Sequence, residues 1–119
     1  MKPARGNATS GSRPSERFSC LLLDDDTGFV AMLAKIVEDE GGEPVVCHTV
    51  AAARAQIAER TFALAILDNR LPDGSGYEFH AQLMRQCPAA VAVMITGAPE
   101  LTQAVELTRN GLFDYLTKP

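Results

Sequence analysis

Short apolar runs alternate with amphipathic stretches from Phe18 onward. Ser19–Leu23 is a continuous apolar run of strand length. Phe29, Leu33, Ile36 and Val37 then recur at helical spacing until Gly41-Gly42 stops the pattern. Val45–Cys47 reads as a second short strand, and Thr49 as the cap of a helix through Val50, Ala53, Ile57 and Ala58. Ala63–Leu67 is the third strand, followed by a helix over Tyr77–Gln86 that Pro88 ends. The β-branched run Val91–Ile95 is the fourth strand; Glu100–Asn110 is a helix closed by Gly111, and Phe113–Leu116 is the fifth strand.

Strands alternating with single helices predict right-handed crossovers and an α/β fold. Uninterrupted apolar runs suit strands buried on both faces. The expected architecture is a doubly wound parallel sheet of five strands, helices covering both faces. Four helices are legible. A sheet covered on both sides calls for another after the last strand, so the final helix is expected to be missing after Pro119 and some apolar surface to be left bare.

Composition narrows the class. The chain has 119 residues, 46% hydrophobic and 22% charged, enough for one domain with a modest core. Net charge is −4, unevenly spread: residues 1–17 carry Lys2, Arg5, Arg13 and Arg17 against Glu16, which leaves the remainder acidic. An acidic body lacks the Lys/Arg clusters that phosphate backbones require, so direct nucleic-acid binding by the domain is not expected. Residues 1–17, rich in Gly, Pro, Ser and Arg, read as a disordered basic tail ahead of a domain over 18–119. No stretch approaches the roughly 20 apolar residues of a membrane helix. Cys20, Cys47 and Cys87 lack metal-ligand spacing and read as buried thiols in a reducing cytoplasm, and His48 and His80 as incidental.

The chemistry lies at the ends of the strands. Asp24-Asp25 follow Leu21-Leu22-Leu23, Asp68 follows Ala65-Ile66-Leu67, Thr96 follows Met94-Ile95, and Lys118 follows Tyr115-Leu116-Thr117. In an open α/β sheet the carboxyl ends share one edge, where ligands bind. Grouped carboxylates repel unless a cation sits among them, and Mg2+ takes such hard oxygen ligands. Lys, Thr and a metal suit the equatorial oxygens of a phosphoryl group, and an aspartate at a strand end can form an acyl phosphate. Asp26 reads as the cap of the following helix.

An acidic pair, Asp68-x-x-x-Pro72, Thr96-Gly97 and Tyr115-x-x-Lys118-Pro119, in that order, resemble the receiver domain of bacterial two-component response regulators. The likeness runs from about Phe18 to Pro119, and Gly111–Pro119 looks most like transcription-factor receivers, including the nitrogen-regulator type. The resemblance implies a flavodoxin-like sheet in the order 2-1-3-4-5, and a signalling switch that catalyses only its own phosphotransfer and a slow self-dephosphorylation. Asp68 would be the phosphoacceptor. Asp24, Asp25, Asp68 and the main-chain carbonyl of Arg70 would hold Mg2+. Thr96 and Lys118 would contact the phosphoryl group, and Thr96 with Tyr115 would form the switch. A cis Lys118–Pro119 peptide is also implied. Arg70 and Ala98 occupy the positions that tune hydrolysis in relatives, and Ala98 cannot position a water. The implied partners are a sensor histidine kinase in the cytoplasm, an output module beyond Pro119, DNA-binding in many relatives, and a second copy of the chain.

Three other readings compete with this one. Asp24-x-Asp26 evokes haloacid-dehalogenase phosphatases, but position 28 is Gly where their motif has Thr or Val, and the Asp68 loop would go unexplained. The receiver module of a hybrid kinase shares every motif above. Gly74-Ser75-Gly76 half-matches a dinucleotide fingerprint without its third glycine.

Overall fold

The computed structural model describes residues 17–119. The expected tail, up to Glu16, lies outside the described residues; Arg17 is exposed and donates from its guanidinium to the Gly42 carbonyl at 3.0 Å.

Five parallel strands form the sheet: β1 (Phe18–Leu23), β2 (Gly42–Cys47), β3 (Leu64–Leu67), β6 (Val91–Thr96) and β7 (Asp114–Thr117), in the order β2-β1-β3-β6-β7. Counting these strands alone, this is the doubly wound order expected. A two-residue antiparallel ribbon, β4 (Arg70–Leu71) with β5 (Gly74–Ser75), sits in the loop after β3. It escaped the apolar pattern because each strand is too short to show a period. The second strand starts three residues earlier than its apolar run, at Gly42, which is buried and pairs with Phe18.

The helices are α1 (Thr27–Asp39), α2 (Val50–Glu59), α3 (Gly76–Gln86) and α4 (Leu101–Arg109). Each of the first three starts on a polar side chain that accepts a backbone N–H: Asp26 from Phe29, Thr49 from Ala52 and Ser75 from Glu78. Gly111, at φ 102°, takes the left-handed turn that follows α4.

Strand alternation divides the core. Leu21, Leu23, Ala65, Leu67, Ala92 and Met94 face α2, α3 and α4 through Ile57, Phe79, Leu83 and Leu107. Cys20 and Leu22 face the other way, onto Val30 and Val37 of α1. Met32 and Ile36 of α1 stay half exposed, and Phe113 is 74% exposed. No helix among the described residues is long and apolar enough to cross a membrane.

The expected cis Lys118–Pro119 peptide is not found: no described peptide bond is cis. Pro119 is exposed, so packing does not select against the trans isomer that an X–Pro bond prefers by about 0.5–1 kcal/mol.

Candidate functional site

Register builds the site. Leu23 pairs with Cys47 on one side and Leu67 on the other, and Leu67 with Met94. The ladder then runs one residue past each strand. Asp24 N–H donates to Cys47 O at 3.0 Å, Asp68 N–H to Leu23 O at 2.8 Å, and Lys118 N–H to Thr96 O at 2.9 Å. Backbone hydrogen bonds thus set the Cα positions of Asp24, Asp68 and Lys118 before any side-chain contact is made.

The side chains converge from there. Asp24 and Asp68 are buried, and Asp25 beside them is exposed. Oxygens of all three lie within 4.8 Å of one another. Lys118 Nζ is 3.0 Å from Asp24 Oδ2, 3.3 Å from Asp68 Oδ2 and 4.0 Å from Asp26 Oδ2. Its ammonium also lies 4.7 Å from the centre of the Phe29 ring, a cation–π contact from the first turn of α1. Burial pushes the Asp24 carboxyl above the usual aspartate range, against the pull of the Asp26 N–H and Lys118, and the charge of Asp68 adds to the rise. Burial draws the Lys118 ammonium down, but its hydrogen bond with Asp24 and the charge of Asp68 outweigh this and raise it.

An all-oxygen set of hard donors suits a small divalent cation, and two partly neutralised buried carboxylates leave unmet negative charge for one. Arg70, whose carbonyl was expected to contribute, is exposed in the small ribbon.

Thr96 is 1% exposed, and its Oγ1 accepts from Ala98 N at 3.2 Å. Tyr115 packs against the core, and its hydroxyl accepts from Glu100 N at 3.0 Å. Both hydroxyls are therefore committed to main-chain amides of the segment leading into α4.

A model of the response regulator receiver domain matches residues 20–119. The chain belongs to the response regulator receiver domain family. The photosynthetic apparatus regulatory protein RegA of Rhodobacter capsulatus is 39% identical over 101 residues, which are 85% of this chain and 55% of RegA. The receiver thus spans about half the length of that relative. A CheY-like receiver domain protein from Methanospirillum hungatei superposes with a TM-score of 0.83 at 31% identity, covering 87% of this chain and 83% of that one. A response regulator from Burkholderia pseudomallei superposes with a TM-score of 0.81 at 27% identity, over 86% of this chain and 60% of its own; its structure contains a phosphorylated aspartic acid, calcium and citrate.

Several residues around the receiver's carboxylates carried no recognisable signal in sequence. Asn69, 4% exposed, donates its backbone N–H to Asp68 Oδ1 at 2.7 Å. Its side-chain oxygen accepts from Tyr77 N at 3.1 Å, and its carbonyl from Gly76 N at 3.0 Å, so it caps the start of α3. Asp73 reaches across to α2 and accepts from Val50 N at 2.8 Å and Ala51 N at 3.0 Å. His48, read as incidental, donates from Nδ1 to the Asp24 carbonyl at 2.9 Å. Each link depends on a partner more than seven residues away, or on a main-chain atom without a sequence signature.

Proposed function

We propose that the domain is a phosphorylation switch in which Asp68 accepts a phosphoryl group from the phosphohistidine of a sensor kinase. A carboxylate oxygen of Asp68 attacks phosphorus in line, the P–N bond breaks, and its electron pair stays with the departing imidazole, which takes a proton. Lys118 neutralises charge on the transferring group from its position against Asp68 Oδ2. Asp24, Asp25, Asp68 and the Arg70 carbonyl would hold Mg2+, which when bound supplies further charge neutralisation and orients the phosphoryl oxygens.

One observation carries the reading: strand register brings a lysine ammonium within 3.3 Å of two buried carboxylates, with a third carboxylate beside them. A purely structural ion pair needs neither the third carboxylate nor a buried threonine at the next strand end. Thr96 leaves Ala98 N to meet the phosphoryl group, and Tyr115 leaves Glu100 N in turn, so that α4 shifts. Leu101, Val105, Phe113 and Leu116 expose apolar surface on α4 and around β7, which suits a change in partner contacts, dimerisation included. The methyl of Ala98 supplies no group to orient water, which supports slow self-dephosphorylation. Three buried free thiols suit a cytoplasmic setting, and the output joined to this domain is proposed to be transcriptional, as in the alginate biosynthesis transcriptional regulatory protein AlgB of Pseudomonas putida, 31% identical over 99 residues.

The deciding experiment is phosphorylation by a small phosphodonor with Mg2+, followed by intact mass. Wild type gains one phosphoryl group and Asp68→Asn gains none. Labelling that persists in Asp68→Asn would place the nucleophile elsewhere, as a first-strand aspartate mechanism requires.

A further inference from the structure

Helix α4 is held by polar contacts more than by packing. Leu107 is its one buried residue, whereas Leu101 is 82% exposed and Val105 42% exposed. Among the described residues, three side-chain hydrogen bonds reach it from three other elements. Tyr115 of β7 accepts from Glu100 N, and the Tyr77 hydroxyl of α3 donates to Glu106. The third comes from the phosphoacceptor loop: Asn69 Nδ2 donates to Gln103 Oε1 at 2.8 Å.

We propose that Gln103 is a positioning residue for the phosphoacceptor loop, tying the peptide after Asp68 to α4 by a route separate from Thr96 and Tyr115. The proposal rests on the assignment of Asp68 as the phosphoacceptor. Asn69 is well placed for the role. Its N–H donates to Asp68 Oδ1, its carbonyl accepts from Gly76 N at the start of α3, and its side chain spans from Tyr77 N to Gln103. An adduct on an Asp68 oxygen redraws the hydrogen bonds around that carboxylate, and the side-chain amide of Asn69 moves with its peptide. The bond to Gln103 resists that movement and holds α4 in the arrangement in which Thr96 and Tyr115 serve Ala98 N and Glu100 N. A contact made in only one of two arrangements lowers the apparent affinity of any ligand that favours the other. Gln103 therefore sets how readily the domain takes the adduct, though it touches no reacting atom.

The test uses beryllofluoride, which adds to an aspartate oxygen as a phosphoryl mimic, with Mg2+ and detection by amide NMR. Gln103→Leu keeps side-chain bulk and removes the acceptor, and apparent affinity should rise about fivefold, the equivalent of one net hydrogen bond. Gln103→Glu keeps an acceptor for Asn69 Nδ2 and should stay near wild type. An unchanged or weaker affinity in Gln103→Leu, or an equal rise in Gln103→Glu, overturns the proposal while leaving Asp68 as the acceptor. Failure of wild type to take the adduct removes both readings. Should Gln103→Leu not fold, wild type still decides: the side-chain amide resonances of Asn69 shift on adduct formation if the tether responds, and their staying in place overturns the proposal.

Discussion

Gly76 lies directly against the main chain of Asp68: a Cβ at position 76 would overlap the Asp68 carbonyl oxygen outright and sit 3.0 Å from its carbonyl carbon. Met94 Cε, 3.2 Å away, closes another side of the same space. The first residue of α3 is thus packed on the backbone of Asp68, and main-chain atoms cannot swing aside as a side chain can.

Gly76→Ala should therefore destabilise the fold by roughly 3 kcal/mol or more, and labelling at Asp68 should fall with it. Gly74→Ala is the control, since its Cβ would meet only the Val50 side chain, Cγ2 at 3.3 Å and Cβ at 3.8 Å. Its cost should be roughly 1 kcal/mol or less. Urea midpoints of the two variants measure the contrast.

Magnesium should raise the unfolding midpoint of the domain, by roughly 2.7 kcal/mol in free energy at a hundredfold excess over its dissociation constant. Asp25 is the exposed member of the acidic trio. Asp25→Asn should leave the metal-free midpoint within about 0.5 kcal/mol of wild type and move the magnesium titration to higher concentration. Thermal melts across a magnesium series check both halves. An unshifted titration would remove Asp25 from the metal seat.

Asp73 should stabilise the start of α2 through a charge that acid removes. Its hydrogen bonds from Val50 N and Ala51 N hold the carboxyl below the usual range. A depressed carboxyl contributes stability that is full above its unfolded value of about 3.9 and fades as pH falls through the folded one. Asp73→Ala should lower the denaturant midpoint at pH 6 and speed amide exchange at Val50 and Ala51. The gap from wild type should narrow below about pH 4.

His80 should make stability fall in mild acid. The ring is 1% exposed, its Nε2 has no hydrogen-bond partner among the described residues, and burial pulls its pKa down. The unfolded chain binds the proton at about pH 6.5 while the folded one does not. Stability is therefore full above about 6.5 and falls, by at most about 1.4 kcal/mol per unit, until the lower folded value is reached. His80→Leu should flatten that slope and, by removing an unsatisfied buried nitrogen, raise stability by roughly 1 kcal/mol at pH 7. Guanidinium unfolding between pH 5 and 7.5 is the measurement, and an unchanged slope would sink the assignment.

The apolar runs and helical periods by themselves determined the five strands of the main sheet, four helices and a parallel α/β architecture, because burial on both faces and a 3.6-residue period leave marks along the chain. Asp24, Asp25, Asp68, Thr96 and Lys118 were legible for the same reason: each directly follows a run, and position after a buried strand is a local property. Distance between those positions was not legible. Only strand register, with one ladder bond past each strand end, set Lys118 against Asp24 and Asp68. Tertiary structure alone also joined Asn69 to Gln103, Asp73 to the start of α2 and Gly76 to the Asp68 carbonyl. Those are contacts between different segments, made by polar atoms or a missing Cβ that stand outside the apolar period, and such contacts exist only once the sheet has folded.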